Sequence, residues 1–123
     1  MCTAATYKAA DHYFGRNLDY EYSYQETVTV TPRNFAFSFR HAEKMTSHYA
    51  MIGMATVADG FPLYYDATNE MGLSMAGLNF PENAVYYVFD SKKDNIAPFE
   101  LIPWILGQCA CVKEAKQLLG NMN

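Results

Sequence analysis

At 123 residues, half of them apolar and with a formal net charge of −4, the chain is of single-domain size and carries enough material for a sizeable core. It has no block of like charges, which argues against a nucleic-acid or anionic-membrane surface, and no apolar stretch near the length of a membrane span. Its N-terminus lacks the basic and apolar regions of a signal peptide, so a cytoplasmic location is expected.

In chain order, the first eighty residues read as β-rich. Thr3-Ala4-Ala5-Thr6-Tyr7 is strand-like, and a second short run covers residues 12–14. Tyr20, Tyr22 and Tyr24 alternate in the manner of a strand face, so period alone does not separate sheet from pocket wall. Residues 28–31 alternate and stop at Pro32, and Phe35-Ala36-Phe37-Ser38-Phe39 alternates strictly, which predicts a further strand. An apolar run over residues 49–57 is broken by Asp59-Gly60. Leu63-Tyr64-Tyr65 then leads through Thr68-Asn69-Glu70 to Gly72, after which residues 73–78 resume an apolar course, the pattern of a hairpin.

From Pro98 the period becomes helical. Phe99, Leu101, Ile102, Ile105 and Leu106 follow it, with Pro103 expected to divide or kink the segment. Residues 112–119 form a cleaner amphipathic helix, with Val112, Ala115, Leu118 and Leu119 on one side and Gly120 as a stop. Strands followed by helices predict an α+β fold in which helices cover one face of an antiparallel sheet.

The three cysteines stand at positions 2, 109 and 111. Cys109-Ala110-Cys111 has no second ligand cluster of zinc spacing, and both members are expected to be structural, buried thiols. Cys2 is different. A side chain this small permits removal of the initiator methionine, which would leave a thiol and a free α-amino group on one carbon. That amino group titrates at about 7.7 to 8.0 when unperturbed, so nucleophile and base would be a single residue. Arg16 and Asp19 follow within Phe14-Gly15-Arg16-Asn17-Leu18-Asp19. A fixed cation stabilises thiolate, and a carboxylate orients an amine beside it. The ten tyrosines suit both strand filler and the wall of an amphipathic pocket.

Met1-Cys2-Thr3, the run from Phe14 through Leu18-Asp19-Tyr20-Glu21-Tyr22-Ser23, Thr31-Pro32-Arg33-Asn34-Phe35 and Ala76-Gly77-Leu78-Asn79-Phe80-Pro81 occur in this order. With them the chain resembles the choloylglycine hydrolase family, which holds the bile salt hydrolases and penicillin V acylases. The similarity runs through all 123 residues, including Asn69-Glu70-Met71-Gly72-Leu73. It implies an N-terminal-nucleophile hydrolase fold, a four-layer αββα sandwich, and amide cleavage through an acyl-enzyme.

Carried onto this sequence, the resemblance makes Cys2 the nucleophile, Arg16 the cation beside its sulfur, Asp19 the group that aligns the α-amino group, and Asn79 part of the oxyanion hole. It places Leu18, Tyr20, Tyr24, Ala58 and Tyr65 where the pocket wall would be. Arg33 and Asn34 match a motif without a catalytic role. Asparagine rather than tyrosine at position 79 favours the bile salt branch over the penicillin V branch. The implied substrates are bile salts conjugated to glycine or taurine, with no metal or organic cofactor, no nucleic acid and no membrane as partner, and a homo-oligomer, commonly a tetramer.

Family enzymes are more than twice this length, and a second asparagine and a second arginine of their active sites lie beyond position 123. Residues 1–123 are therefore expected to be the N-terminal portion of such a domain, apparently truncated. Half of a layered sandwich exposes sheet surface that the remaining strands would cover. The expectation is thus either an amidase that depends on that remainder or on self-association, or an inactive fragment that only binds bile acids.

Overall fold

The computed structural model describes residues 2–123; Met1, whose removal the N-terminal-nucleophile reading requires, lies outside them. A two-stranded antiparallel ribbon opens the chain, β1 (Thr3–Lys8) against β2 (His12–Asn17), with Thr3 opposite Asn17 and Lys8 opposite His12. A four-stranded antiparallel meander follows: β3 (Thr27–Thr31), β4 (Met51–Ala58), β5 (Phe61–Asn69) and β6 (Ser74–Ala76), in sequential spatial order. The turn between β4 and β5 puts Asp59 at φ 51° and Gly60 at φ 77°. Positive φ at both central residues is what a tight hairpin of matching twist requires, and an Asp-Gly pair adopts it readily.

The helices come last, α1 (Leu101–Gln108) after a single 3₁₀ turn (Pro98–Glu100), then α2 (Val112–Leu119). α1 lies on one face of the four-stranded sheet. Ile102, Trp104, Ile105 and Leu106 bury themselves against Met51 and Ala55 of β4 and Tyr64 and Ala67 of β5. Pro103 does not divide this helix. It falls in the first turn, where a missing N–H breaks no intrahelical bond, and the helix runs on through Gln108.

The strand predicted over residues 35–39 is not formed. Phe37 makes one antiparallel bridge, to Met45, with N–H to carbonyl distances of 2.9 and 3.0 Å. The alternation reports burial rather than pairing. Phe37 is fully buried, and its ring lies 4.9 Å from that of Phe35, 5.8 Å from that of Phe39 and 5.7 Å from that of Phe61, so the segment plugs the core edge with aromatic rings instead of joining a ladder. The paired reading of Cys109 and Cys111 also needs correction: Cys109 is buried, but Cys111 is exposed at the N-cap of α2.

One irregularity in the sheet decides where the functional residues point. Between β4 and β5 the register shifts, so that Ala55 faces Tyr64 while Met54 faces Asp66, leaving Tyr65 as the extra residue of a β-bulge. Strict alternation from Tyr64 would carry Asp66 to the helix-covered side. The bulge keeps Tyr64 and Ala67 on that side and turns Asp66 to the opposite face, in a row with Val28 and Met54. Arg16 of the ribbon reaches Asp66 there, so the Arg16 end of the ribbon meets the face that α1 does not cover.

Candidate active site

The ribbon has an inner and an outer face. Cys2, Ala4, Phe14, Arg16 and Leu18 are half-buried, whereas Thr3, Ala5, Tyr13, Gly15 and Asn17 between them are exposed. The two-residue period of a strand thus places Cys2 and Arg16 on the same side, and because Ala4 pairs with Arg16, Cys2 is its diagonal neighbour. The start of the ribbon is fixed by the Thr3 N–H, which donates to Asn17 Oδ1 at 2.6 Å.

Cys2 Sγ stands 4.0 Å from the main-chain carbonyl oxygen of Asp19, its S–H directed toward it. Arg16 is anchored at both ends of its fork. Nη1 lies 3.5 Å from Asp66 Oδ2, and Nη2 donates to the Gly77 carbonyl at 3.0 Å. Its side chain is only 6 % exposed, so these contacts replace the water a free guanidinium would hold.

Three tyrosines stand beside this pair. The Tyr20 ring packs 5.6 Å from Tyr24 and 5.7 Å from Tyr65. The Tyr65 hydroxyl is 2.9 Å from Thr56 Oγ1, which also donates to the Tyr24 carbonyl at 2.9 Å. The Tyr20 phenol is pushed above its ordinary value, first by partial burial and then by the Cys2 sulfur and Tyr65, with Arg16 opposing. Tyr20 therefore lies within the field of both the thiol and the guanidinium. Tyr20 remains 42 % exposed, so the cluster forms an open wall rather than sealed core.

Of the residues expected at the site, Cys2, Arg16, Tyr20, Tyr24 and Tyr65 are gathered here, with Leu18 half-buried on the same ribbon face and Asp19 reaching Cys2 through its backbone. Asn79 is exposed, two residues beyond the Gly77 that Arg16 holds. Ala58 is exposed at the turn end of β4, opposite Phe61. Arg33 forms a forked ion pair with Glu70, whose Oε1 also accepts the Ala50 N–H, so it ties the chain after β3 to the β5–β6 turn. Among the described residues no group of three or more His, Cys, Asp or Glu is placed to hold a metal ion, and no helix is long and apolar enough to cross a membrane.

Sequence reasoning missed Asp66 and the Gly77 carbonyl. The signal for Asp66 was available: a carboxylate following Leu63-Tyr64-Tyr65 in an apolar strand needs a cation or donor. Which cation it meets depends on the bulge, which leaves no local mark.

A family model described as linear amide C-N hydrolases, choloylglycine hydrolase family, matches residues 2–123. The chain is 53 % identical over 123 residues to a bile salt hydrolase/transferase of Lactiplantibacillus plantarum, a match covering all of this chain and 38 % of the relative. It is 39 % identical over 127 residues to a bile salt hydrolase/transferase of Clostridium perfringens, covering all of this chain and 39 % of that one. A crystal structure of a cysteine-to-alanine mutant of the conjugated bile acid hydrolase from Clostridium perfringens superposes with a TM-score of 0.91 at 38 % identity, over all of this chain and 39 % of that one. The chain thus spans about two fifths of the length of these relatives. On the family match and these likenesses together, it belongs to the choloylglycine hydrolase family.

Proposed function

We propose that this chain is the nucleophile-bearing N-terminal portion of a bile salt hydrolase, an amidase acting on glycine- or taurine-conjugated bile salts. The observation that carries the reading is the placing of Cys2 and a buried, anchored Arg16 as diagonal neighbours on one ribbon face beside the Tyr20–Tyr24–Tyr65 wall, in a chain similar along its whole length to bile salt hydrolases.

In this reading Met1 is removed and the freed α-amino group of Cys2 takes the thiol proton. The thiolate attacks the amide carbon of the conjugate, and the carbonyl oxygen becomes an oxyanion that the Asn79 side chain receives. A donor so placed is worth about 3 to 4 kcal/mol of barrier. Collapse of the intermediate breaks the C–N bond, the α-ammonium protonates the departing glycine or taurine nitrogen, and the steroid acyl group remains as a thioester on Cys2. Water, deprotonated by the same amino group, then releases the bile acid. Arg16 supports the thiolate and Asp19 aligns the amino group. Leu18, Tyr20, Tyr24, Ala58 and Tyr65 contribute wall to the steroid pocket, apolar faces toward the ring system and hydroxyls at its edge.

The working protein, on this proposal, is a cytoplasmic homo-oligomer in which further chain or further copies complete the layers. The test is release of free glycine or taurine from conjugated bile salts by the purified chain, with Cys2→Ala alongside and phenoxymethylpenicillin as the competing substrate. Release that vanishes in the Cys2→Ala control supports the reading. Preferential cleavage of the penicillin side chain moves the protein to the acylase branch. Absence of both activities, in a sample whose mass shows Met1 removed, overturns catalysis by this chain alone.

A further inference from the structure

We infer that Asp66 is a positioning residue for Arg16, and through it for the reactivity of Cys2. The inference rests on the reading of Cys2 as nucleophile and Arg16 as its cation, and assigns a role to a residue outside that set.

A guanidinium on a side chain only 6 % exposed, on the inner face of a two-stranded ribbon, is largely withdrawn from solvent. Its direction is set by what it binds. Asp66 takes Nη1 and the Gly77 carbonyl takes Nη2, two contacts on different nitrogens that fix the plane of the fork. Nε, buried as well, has no hydrogen-bond partner among the described residues. Asp66 is therefore the anionic half of a two-point clamp.

The carboxylate is itself placed by the sheet. Its Oδ1 accepts the Met54 N–H at 3.4 Å across the β4–β5 bulge, and its Oδ2 faces Arg16. Tyr65, the bulged residue, supplies the wall beside Tyr20 and also accepts the Gly77 N–H at its carbonyl, 2.8 Å away. One irregularity thus aims Asp66 at Arg16, sets Tyr65 against Tyr20 and holds the Gly77 segment that closes the clamp. A β-bulge used to re-aim side chains beside a site is a recurrent device.

The sign of the effect separates positioning from simple charge. If Asp66 were only a nearby negative charge, its neutralisation would favour the thiolate and speed Cys2. If it holds Arg16 in place, its neutralisation lets the guanidinium leave and slows Cys2.

The experiment is alkylation of the native chain by iodoacetamide across a pH series, with Cys2, Cys109 and Cys111 followed separately by peptide mass spectrometry. This readout is independent of bile salt cleavage. Asp66→Asn preserves the shape and the Met54 contact, and is expected to slow Cys2 alkylation near pH 7 by about threefold to tenfold, in the same direction as Arg16→Met. Asp66→Asn added to Arg16→Met should change nothing further, since both act through one group. Asp66→Glu should slow Cys2 less than Asp66→Asn.

Cys109, 3 % exposed, serves as the folding control through its protection in the same sample. If that protection is lost in Asp66→Asn, Asp66→Ser, which also removes the carboxylate, decides in its place: slowing of Cys2 supports the clamp and an unchanged rate overturns it. An unchanged or faster Cys2 in folded Asp66→Asn, with Arg16→Met slowed, overturns the role of Asp66 and leaves that of Arg16 standing. An unchanged Cys2 in Arg16→Met overturns both.

Discussion

Gly53 and Asp66 meet backbone to backbone at the centre of the sheet: a Cβ on Gly53 would lie 1.9 Å from the Asp66 carbonyl oxygen and 2.6 Å from the Ala67 Cα. Main chain cannot yield as a flexible side chain does. The absence of a side chain at position 53 is therefore a condition of the bulge that turns Asp66 toward Arg16. Gly53→Ala should force β4 and β5 apart and lower stability by about 2 kcal/mol or more, an overpacking cost. Thermal unfolding by circular dichroism measures it, and an unchanged midpoint would show that the strands can separate freely. The same variant should loosen the Arg16 clamp and slow Cys2 alkylation.

Asn69 joins the sheet to the helical layer with every polar valence of its amide in use. Nδ2 donates to the Leu106 and Cys109 carbonyls, each at 2.8 Å, and Oδ1 accepts the Met71 and Leu73 N–H groups at 3.1 and 3.0 Å. One side chain caps the end of α1 and shapes the β5–β6 turn together. Asn69→Ala removes four bonds and leaves buried backbone groups unpaired, a loss of about 3 kcal/mol. Urea unfolding followed by Trp104 fluorescence reads the change directly. A loss below about 1 kcal/mol would mean that water replaces the amide.

How much of this was legible beforehand follows the range of the interactions. The strands near residues 3, 12, 28, 51, 63 and 74, the Asp59-Gly60 turn and the α2 boundaries were all visible, because alternation, breakers and helical period are local. Phe35, Phe37 and Phe39 show where that logic stops: alternation fixed which side is buried but did not disclose that no neighbouring strand lies alongside. Pro103 misled for a related reason, since a proline breaks a helix only if the helix has already begun. At the site, Cys2 and Arg16 were readable from their chemistry. Asp66 signalled its need of a partner but not which one, because its direction depends on a register shift fifty residues away from the cation it meets.

Thr31 and Tyr64 form a buried polar pair between β3 and β5, their hydroxyl oxygens 2.6 Å apart. The Tyr64 hydroxyl also lies 3.3 Å from the Thr29 carbonyl, and burial pushes the phenol above its ordinary value despite the opposing pull of Thr31. Tyr64→Phe leaves Thr31 Oγ1 without its partner and should cost about 1 to 2 kcal/mol. Thr31→Val in the same background removes the stranded hydroxyl and should recover part of that loss, so the double variant unfolds later than Tyr64→Phe alone. Chemical denaturation of the four proteins tests the cycle, and strict additivity would deny the coupling.

Glu70 is the carboxylate expected to carry acid sensitivity in the segment that connects β3 to β4. Arg33 grips its carboxylate, the Ala50 N–H donates to it at 2.8 Å, and together they hold its pKa near about 2 from an ordinary 4.5. A carboxyl depressed on folding contributes stability that is fully present above its unfolded value and is lost as pH falls through the folded one. The contribution of Glu70 should therefore be intact above about pH 4.5 and gone below about pH 2. Glu70→Gln keeps the shape and removes the titration, so it should flatten the fall of the unfolding midpoint across that window while lowering the midpoint at neutral pH. Arg33→Met should flatten it less completely, because the Ala50 N–H still favours the ionised form. Salt sharpens the distinction: Arg33 is 75 % exposed, so its share of the effect is screened by added chloride, whereas the backbone hydrogen bond is not. Midpoints measured from pH 2 to 7 at low and high ionic strength give both readings, and parallel curves for native and Glu70→Gln proteins would assign the acid limb to other carboxylates.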